Sequence, residues 1–326
     1  MRLQRRVARG RPSRTITRGE SFCRRRAWLT AVMVLALTHS ISWSANEVAP
    51  DGWFRVIALD RSTYAVSEPK YWQANVSYLL LGSRSALLFD TGPGVYSIRA
   101  VVKSLTRLPI VVVPSHLHFD HIGRIQEFSH IELVGDQVLR RETSGGVLTL
   151  TRGQCLLRDP CSFRVARWLV DGESIDLGDR HVSILSTPGH TPDSVTAVDA
   201  DRHWLFTGDL LNRGGTLYDV PGADLKAVAS SLARLGEFAR KGYIAHEAHS
   251  ERAILPDEFL KTSQGVLDAI AGHANGKRVR LDGVSARQFD VNGFVVVLPS
   301  DADERLMPLA SSTTEIDWRH KPCSSS

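Results

Sequence analysis

From residue 53 onward, short β-branched apolar runs alternate with longer stretches of helical spacing. Residues 53–59 and 76–81 predict strands, and Gly82-Ser83 predicts a hairpin turn into the apolar 86–89. Ile98, Val101, Val102 and Leu105 recur at helical spacing and lead into the strand 110–113, a strand, crossover helix, strand order. A helix is expected to begin at 123–128, and further strands at 182–185, 195–198 and 204–206. Leu225, Val228, Leu232, Leu235 and Phe238 form one apolar helical face, and 256–273 reads as a second covering helix. A pair of strands follows within 279–298, around Asp290-Val291-Asn292-Gly293. Residues 142–173 show no clear period and read either as an insertion shaping a pocket mouth or as a packed surface loop. The polar stretch 311–326 is expected to fray.

Several of these strands end in residues that carry chemistry. The run 110–113 is followed by Ser115-His116-Leu117-His118-Phe119-Asp120-His121, three imidazoles and a carboxylate within six positions. On an extended backbone His116, His118 and Asp120 project one way, while His121, after the turn, reaches a second centre. A surface histidine beside a capping aspartate explains one such residue but not four at this spacing, and the run therefore reads as a metal-binding segment. The strand 86–89 ends in Asp90-Thr91-Gly92, whose carboxylate either supports the metal-binding loop or caps a turn. Pro188-Gly189 makes a tight bend that aims His190 inward as a further nitrogen ligand. Gly208-Asp209 closes the run 204–206 with a carboxylate able to bridge two cations. Residues 242–245 lead to His246, taken as the last ligand because it follows the apolar strand directly, with His249 as the alternative. Tyr218 offers a hydrogen bond to a substrate or simply packs.

The formal charge of +5 conceals two populations. Residues 1–44 carry ten arginines against Glu20, a balance of +9, and the rest of the chain is left near −4. A nucleic-acid-binding surface is not expected on that remainder. Arg24-Arg25-Arg26 precedes the apolar run 27–37, too short to span a bilayer comfortably, and Ser42 and Ser44 flank Trp43 ahead of a plausible cut before Ala45. This is the pattern of an export signal, of the general secretory or the twin-arginine kind. Cys155 and Cys161 are spaced to close a small loop in an oxidising compartment, or else remain two free thiols; Cys323 has no evident partner, and Cys23 falls in the leader.

Taken together, His116-x-His118-x-Asp120-His121, Gly189-His190, Gly208-Asp209 and His246 resemble the metallo-β-lactamase superfamily across nearly the whole chain after the leader. The resemblance implies an α/β fold, the four-layer αββα sandwich, with metals at one edge of the two sheets. It assigns His116, His118 and His190 to one zinc, Asp120, His121 and His246 to a second, and Asp209 to the bridge between them. Ala245 departs from the glycine that usually precedes the last ligand. The stretches 117–121, 177–180 and 205–209 look most like the acyl-CoA thioesterase branch, with glyoxalase-II-like thioesterases and lactonases also similar; β-lactamases proper usually lack an aspartate at the place of Asp209.

The organisation expected is a leader over 1–44, a hydrolase domain over 45–275, and C-terminal strands and a polar tail over 276–326 packed on the same domain. The resemblance implies two Zn2+ per chain and a metal-bound hydroxide, with Asp120 as its catalytic orienter, cleaving a thioester, ester or lactone; the export signal implies the periplasm or the outside of the cell as its place. Alternatives are β-lactam hydrolysis and, since this ligand set also suits iron, an iron-dependent sulfur oxidoreductase of the same fold. The expected partner is a small-molecule substrate, with no nucleic acid and no stable membrane anchor once the signal is removed; the oligomeric state is open.

Overall fold

The computed structural model describes residues 46–48, 52–135, 137–150, 161–281 and 284–300; the leader, Cys155, Cys323 and the polar tail lie outside the described residues. The first sheet is built from β1 (Asn46–Val48), β2 (Phe54–Ala58), β3 (Thr63–Ser67), β4 (Val76–Leu81), β5 (Ala86–Phe89), β6 (Ile110–Val113), β7 (Ile131–Val134), β8 (Thr143–Ser144), β9 (Val147–Leu150) and β10 (Cys161–Leu169). Their spatial order is β1-β2-β3-β4-β5-β6-β7-β10-β9-β8. Helix α1 (Ile98–Leu105) crosses from β5 to its parallel neighbour β6, as the apolar spacing predicted, and α2 (Gln137–Glu142) follows β7.

Next along the chain come β11 (Glu173–Asp176), β12 (His181–Ser186), β13 (Val195–Asp199), β14 (Trp204–Phe206), then β15 (Thr216–Leu217), which pairs elsewhere, and β16 (Ile244–His246). The second sheet runs β11-β12-β13-β14-β16. Helices α3 (Leu225–Arg240) and α4 (Pro256–Ile270) cover its outer face. A third sheet, β15-β19-β18-β17, uses β17 (Lys277–Leu281), β18 (Val284–Val291) and β19 (Phe294–Pro299). The β18–β19 hairpin turns at Asn292 and Gly293, both at positive φ, as the Asn-Gly pair predicted.

Alternation along the strands builds the layers. Leu79, Leu88 and Val112 face outward and pack with Val101 and Val102 of α1. Their neighbours Leu80, Leu87, Phe89 and Val113 face inward, against Val182, Ile184, Ala197 and Phe206 of the second sheet. On the far side Val198, Leu205 and Ala245 meet Val228, Leu232 and Leu235 of α3, Phe259 and Val266 of α4, and Phe289, Val291 and Phe294 of the third sheet. The order is helix, sheet, sheet, helix, and each fully buried Leu, Val or Phe contributes about 1.5–3 kcal/mol. Across the two sheets, Arg180 is buried and donates to Asp199, Thr63 Oγ1 and the carbonyls of Ser62 and Leu81.

Two expectations need correction. Residues 123–128 make only a 3-10 turn, Ile125–Glu127, because Arg124 sits at φ 55° and breaks helical propagation. The segment 142–173 is not an irregular insertion throughout: β9 and β10 extend the first sheet, with Cys161, Phe163 and Val165 buried and Ser162, Arg164 and Ala166 exposed between them. Cys161 is disulfide-bonded.

Candidate metal centre

The site gathers at one end of both sheets, where β6, β14 and β16 stop. Beyond β6, His116, Asp120 and His121 are buried while His118 is half-buried. The Gly189 turn presents His190 because α3 packs directly on it: a Cβ at Gly189 would lie 2.7 Å from Val228, and Asp224 N donates to the Gly189 carbonyl at 2.9 Å. Asp224 also caps α3, accepting from Lys226 N and Ala227 N. Gly208 has φ 54° and passes so close to Ser115 that a Cβ would fall 2.6 Å from its Cβ, which sets Asp209 against the histidine cluster.

Three groups of ligand-type atoms result, each with its members within 4.8 Å of one another: His116, His118 and His190; His116, His121 and Asp209; and Asp120, His121 and His249. Six of the seven residues expected from sequence therefore come together. The seventh does not. His246 stands opposite Phe206 in the β14–β16 pairing, on the face that points between the sheets, and stacks on Phe206 with ring centroids 5.3 Å apart. Tyr78 and Trp204 complete an apolar surround, His246 Nε2 has no hydrogen bond, and burial pushes the imidazole down to about 4. Following the apolar strand directly is what buries His246. His249, on the loop beyond, takes the place expected of it. Tyr218 is also buried and donates to the Leu210 carbonyl, so it packs.

Hydrogen bonds around the ligands select the nitrogen that faces the centre. His190 Nδ1 donates to the Leu217 carbonyl at 2.6 Å, His249 Nδ1 to the Gln73 carbonyl at 2.9 Å, and His121 Nδ1 lies 2.9 Å from Asp90 Oδ2. In each ring Nε2 is left for the cluster. Asp90, at φ 68°, also accepts from Ser115 N at 2.5 Å, and so supports the loop from behind as expected. Asp193 Oδ2 accepts from Leu117 N at 2.8 Å. Sequence reasoning missed Gln73 and Asn75, whose amides donate to Asp120 Oδ2 at 3.0 and 3.1 Å. They lie in a loop with no ligand-like motif, more than forty residues before Asp120.

Asp209 connects the groups. Its Oδ1 lies 3.0 Å from His249 Nε2 and 3.3 Å from His121 Nε2, and its Oδ2 3.7 Å from His190 Nε2. The two ends differ in charge. Burial, with His121 adding to it, holds His116 well below the ordinary range, and burial beside His190 lowers His118 to about 4. At the other end burial opposes the charge on His121 and His249, but Asp120 and Asp209 outweigh it, holding His121 well above its usual value and His249 up to about 9. Burial would raise Asp120, yet His121 pulls it well below the carboxylate range.

This donor set fits a pair of cations. His116 Nε2 is buried, aimed into the cluster and without a hydrogen bond among the described residues, while His121 Nε2 and Asp209 Oδ1 face one another at 3.3 Å. Such atoms are costly to bury unless something else pairs with them. Imidazole nitrogen and carboxylate oxygen are the ligands of zinc, and also of iron and manganese.

Residues 71–242, more than half of the 326, match the family model described as metallo-beta-lactamase superfamily. The chain is 26% identical over 234 residues to acyl-coenzyme A thioesterase MBLAC2 of Homo sapiens, covering 64% of this chain and 81% of that protein. It is 30% identical over 145 residues to the probable metallo-hydrolase YqgX of Bacillus subtilis (strain 168), covering 44% of this chain and 68% of that one. Among solved structures, the metallo-beta-lactamase from Pontibacter korlensis shares the fold with a TM-score of 0.51 at 17% identity, covering 66% of this chain and 99% of that chain.

Proposed function

Because the chain belongs to the metallo-beta-lactamase superfamily, we propose that this metal-dependent hydrolase uses two zinc ions to cleave a thioester, ester or lactone. The observation that carries the dinuclear reading is Asp209, which lies within 3.7 Å of imidazole nitrogens from both ends of the cluster. His116, His118 and His190 would hold one ion, Asp120, His121 and His249 the other, and Asp209 would be shared. Bound divalent cations at such a centre supply Lewis acidity, lowering the pKa of water toward neutrality and polarising the carbonyl under attack.

The chain's own groups define the rest. Asp120 stays ionised because His121 faces it, and its Oδ2 is held by Gln73 and Asn75, so its carboxylate is fixed where it would orient the attacking water. His118, Asp209 and His249 are the partly exposed members of the cluster, and substrate would approach from their side. A thiolate leaves a thioester readily, and a water activated at such a centre would need no Ser or Cys nucleophile. The relative named as an acyl-coenzyme A thioesterase supports the substrate class. We further place the mature chain in the periplasm or outside the cell; the arginine-rich stretch ahead of an apolar run and the disulfide at Cys161 support export. Outside the cytoplasm, lactones and esters are more accessible substrates than acyl-CoA.

The test is metal content of the purified chain followed by turnover on an acyl thioester, a lactone, an aryl ester and a cephalosporin. Two zinc per chain with ester, lactone or thioester turnover is expected. Rapid cephalosporin cleavage with negligible ester turnover would overturn the substrate reading, and an iron-loaded chain that consumes oxygen would overturn the hydrolytic one.

A further inference from the structure

The loop that joins β3 to β4 touches the Asp120, His121 and His249 end of the cluster through one residue in two ways. Gln73 Nε2 donates to Asp120 Oδ2 at 3.0 Å, and the Gln73 carbonyl accepts from His249 Nδ1 at 2.9 Å. The two ligands come from opposite halves of the chain, so Gln73 spans them. Its conformation is built in: Tyr71 N donates to the Glu68 carbonyl, Ala74 N to the Tyr71 carbonyl and Glu68 N to the Asn75 carbonyl, closing the loop across its base. Ala74 sits at φ 51°, a left-handed conformation that turns the chain between Gln73 and Asn75 and lets both side chains reach Asp120. No comparable bond runs from this loop to His116, His118 or His190 among the described residues.

We propose that Gln73 is a positioning residue that sets the affinity of the second cation position, the one formed by Asp120, His121 and His249, independently of the first. This rests on the dinuclear reading above. The side-chain amide fixes the rotamer of Asp120, and the carbonyl fixes the His249 tautomer and ring angle. Groups in this relation to metal ligands typically change affinity by about 10–100-fold when removed. Asn75 shares the load on Asp120 but makes no bond to His249, so it cannot replace Gln73 in coupling the two.

The experiment is a competitive titration of the metal-free full chain with Zn2+ against a chromophoric chelator, resolving two stepwise constants, for wild type, Gln73→Met and Gln73→Glu. Gln73→Met keeps length and the backbone carbonyl but removes the donor; Gln73→Glu sets a like charge against Asp120. The second constant is expected to weaken about 10–100-fold in Gln73→Met and further in Gln73→Glu, with the first constant and the thermal midpoint of the metal-free chain unchanged. Wild-type constants in both variants would overturn the proposal. So would parallel weakening of both constants with a lowered metal-free midpoint, since that marks a merely structural role. A wild-type chain that binds a single Zn2+ would sink the dinuclear reading itself, an outcome the wild-type arm reports separately.

Discussion

Replacing His246 and His249 separately, each by Leu, divides the two histidines by role. His246 is neutral at any assay pH near 7, because burial holds it down to about 4, so its removal costs no charge interaction. Its Nε2 is buried with no hydrogen bond, a penalty of about 1–3 kcal/mol that the apolar side chain removes. Against this stands the stacked contact with Phe206, at ring centroids 5.3 Å apart, worth about 0.5–1.5 kcal/mol. Leu has nearly the same volume as His, so no sizeable cavity forms. The balance lies between roughly neutral and 2 kcal/mol of added stability, or about 0–8 °C in thermal midpoint. Metal content should stay at two per chain. His249→Leu has the opposite profile: it removes a nitrogen 3.0 Å from Asp209 and leaves the Gln73 carbonyl without its donor. Metal content should fall to one per chain, and turnover with it. Elemental analysis by plasma mass spectrometry after desalting, alongside a thermal melt, reads both quantities. A His246→Leu chain that binds one metal while His249→Leu keeps two would refute the placement argued from the β14–β16 register.

Three further outcomes follow from buried charge. Arg180→Met leaves the buried Asp199 carboxylate without its main partner and should destabilise by about 3–5 kcal/mol, whereas Arg180→Met with Asp199→Leu should recover most of it; equal denaturant midpoints for the two variants would contradict the pairing. Glu68 is pushed up to about 8 by burial, against the hydrogen bond from Trp53 Nε1 at 2.6 Å, so the folded chain holds a proton there that the unfolded chain loses near pH 4.5. Its stability contribution is therefore present below about pH 4.5 and lost progressively as pH rises to about 8; Glu68→Gln should flatten that slope, raising the midpoint at pH 8 but not at pH 4.5, and a chain whose melt at pH 8 is unmoved would rule this out. Asp90→Asn keeps a side chain that tolerates φ 68° but weakens the contact with His121 Nδ1, so Zn2+ dissociation should speed by about 10–100-fold with little change in the melt of the metal-free chain; an unchanged off-rate would remove Asp90 from the centre.

Much of this was legible one residue at a time. His116, His118, Asp120 and His121 lie within six positions, and a local segment after a buried strand keeps its geometry whatever surrounds it. His190 and Asp209 announced themselves through Pro-Gly and Gly turns, whose backbone needs are local too. The αββα order was implied by the family resemblance, and the near-continuous apolar runs of β4, β5 and β6 and the apolar faces of α1, α3 and α4 agree with it. Less was visible where strands were short or carried charge. Strands β3, β7 and β10 escaped notice, β10 because Arg167 and Trp168 break the alternation that Cys161 to Ala166 keep.

The amino-acid order alone determined that ligand-bearing turns would close several apolar strands, since a strand end and the residue after it are neighbours in the chain. Only the tertiary structure decided which histidine completes the set: parallel pairing of Trp204 with Ile244 and Phe206 with His246 turns His246 into the apolar layer and frees His249 to reach Asp209 and Asp120. It likewise brought Gln73, Asn75 and Asp90 behind the ligands. Contacts of that kind depend on how distant strands are registered against one another, a property no local window of sequence contains.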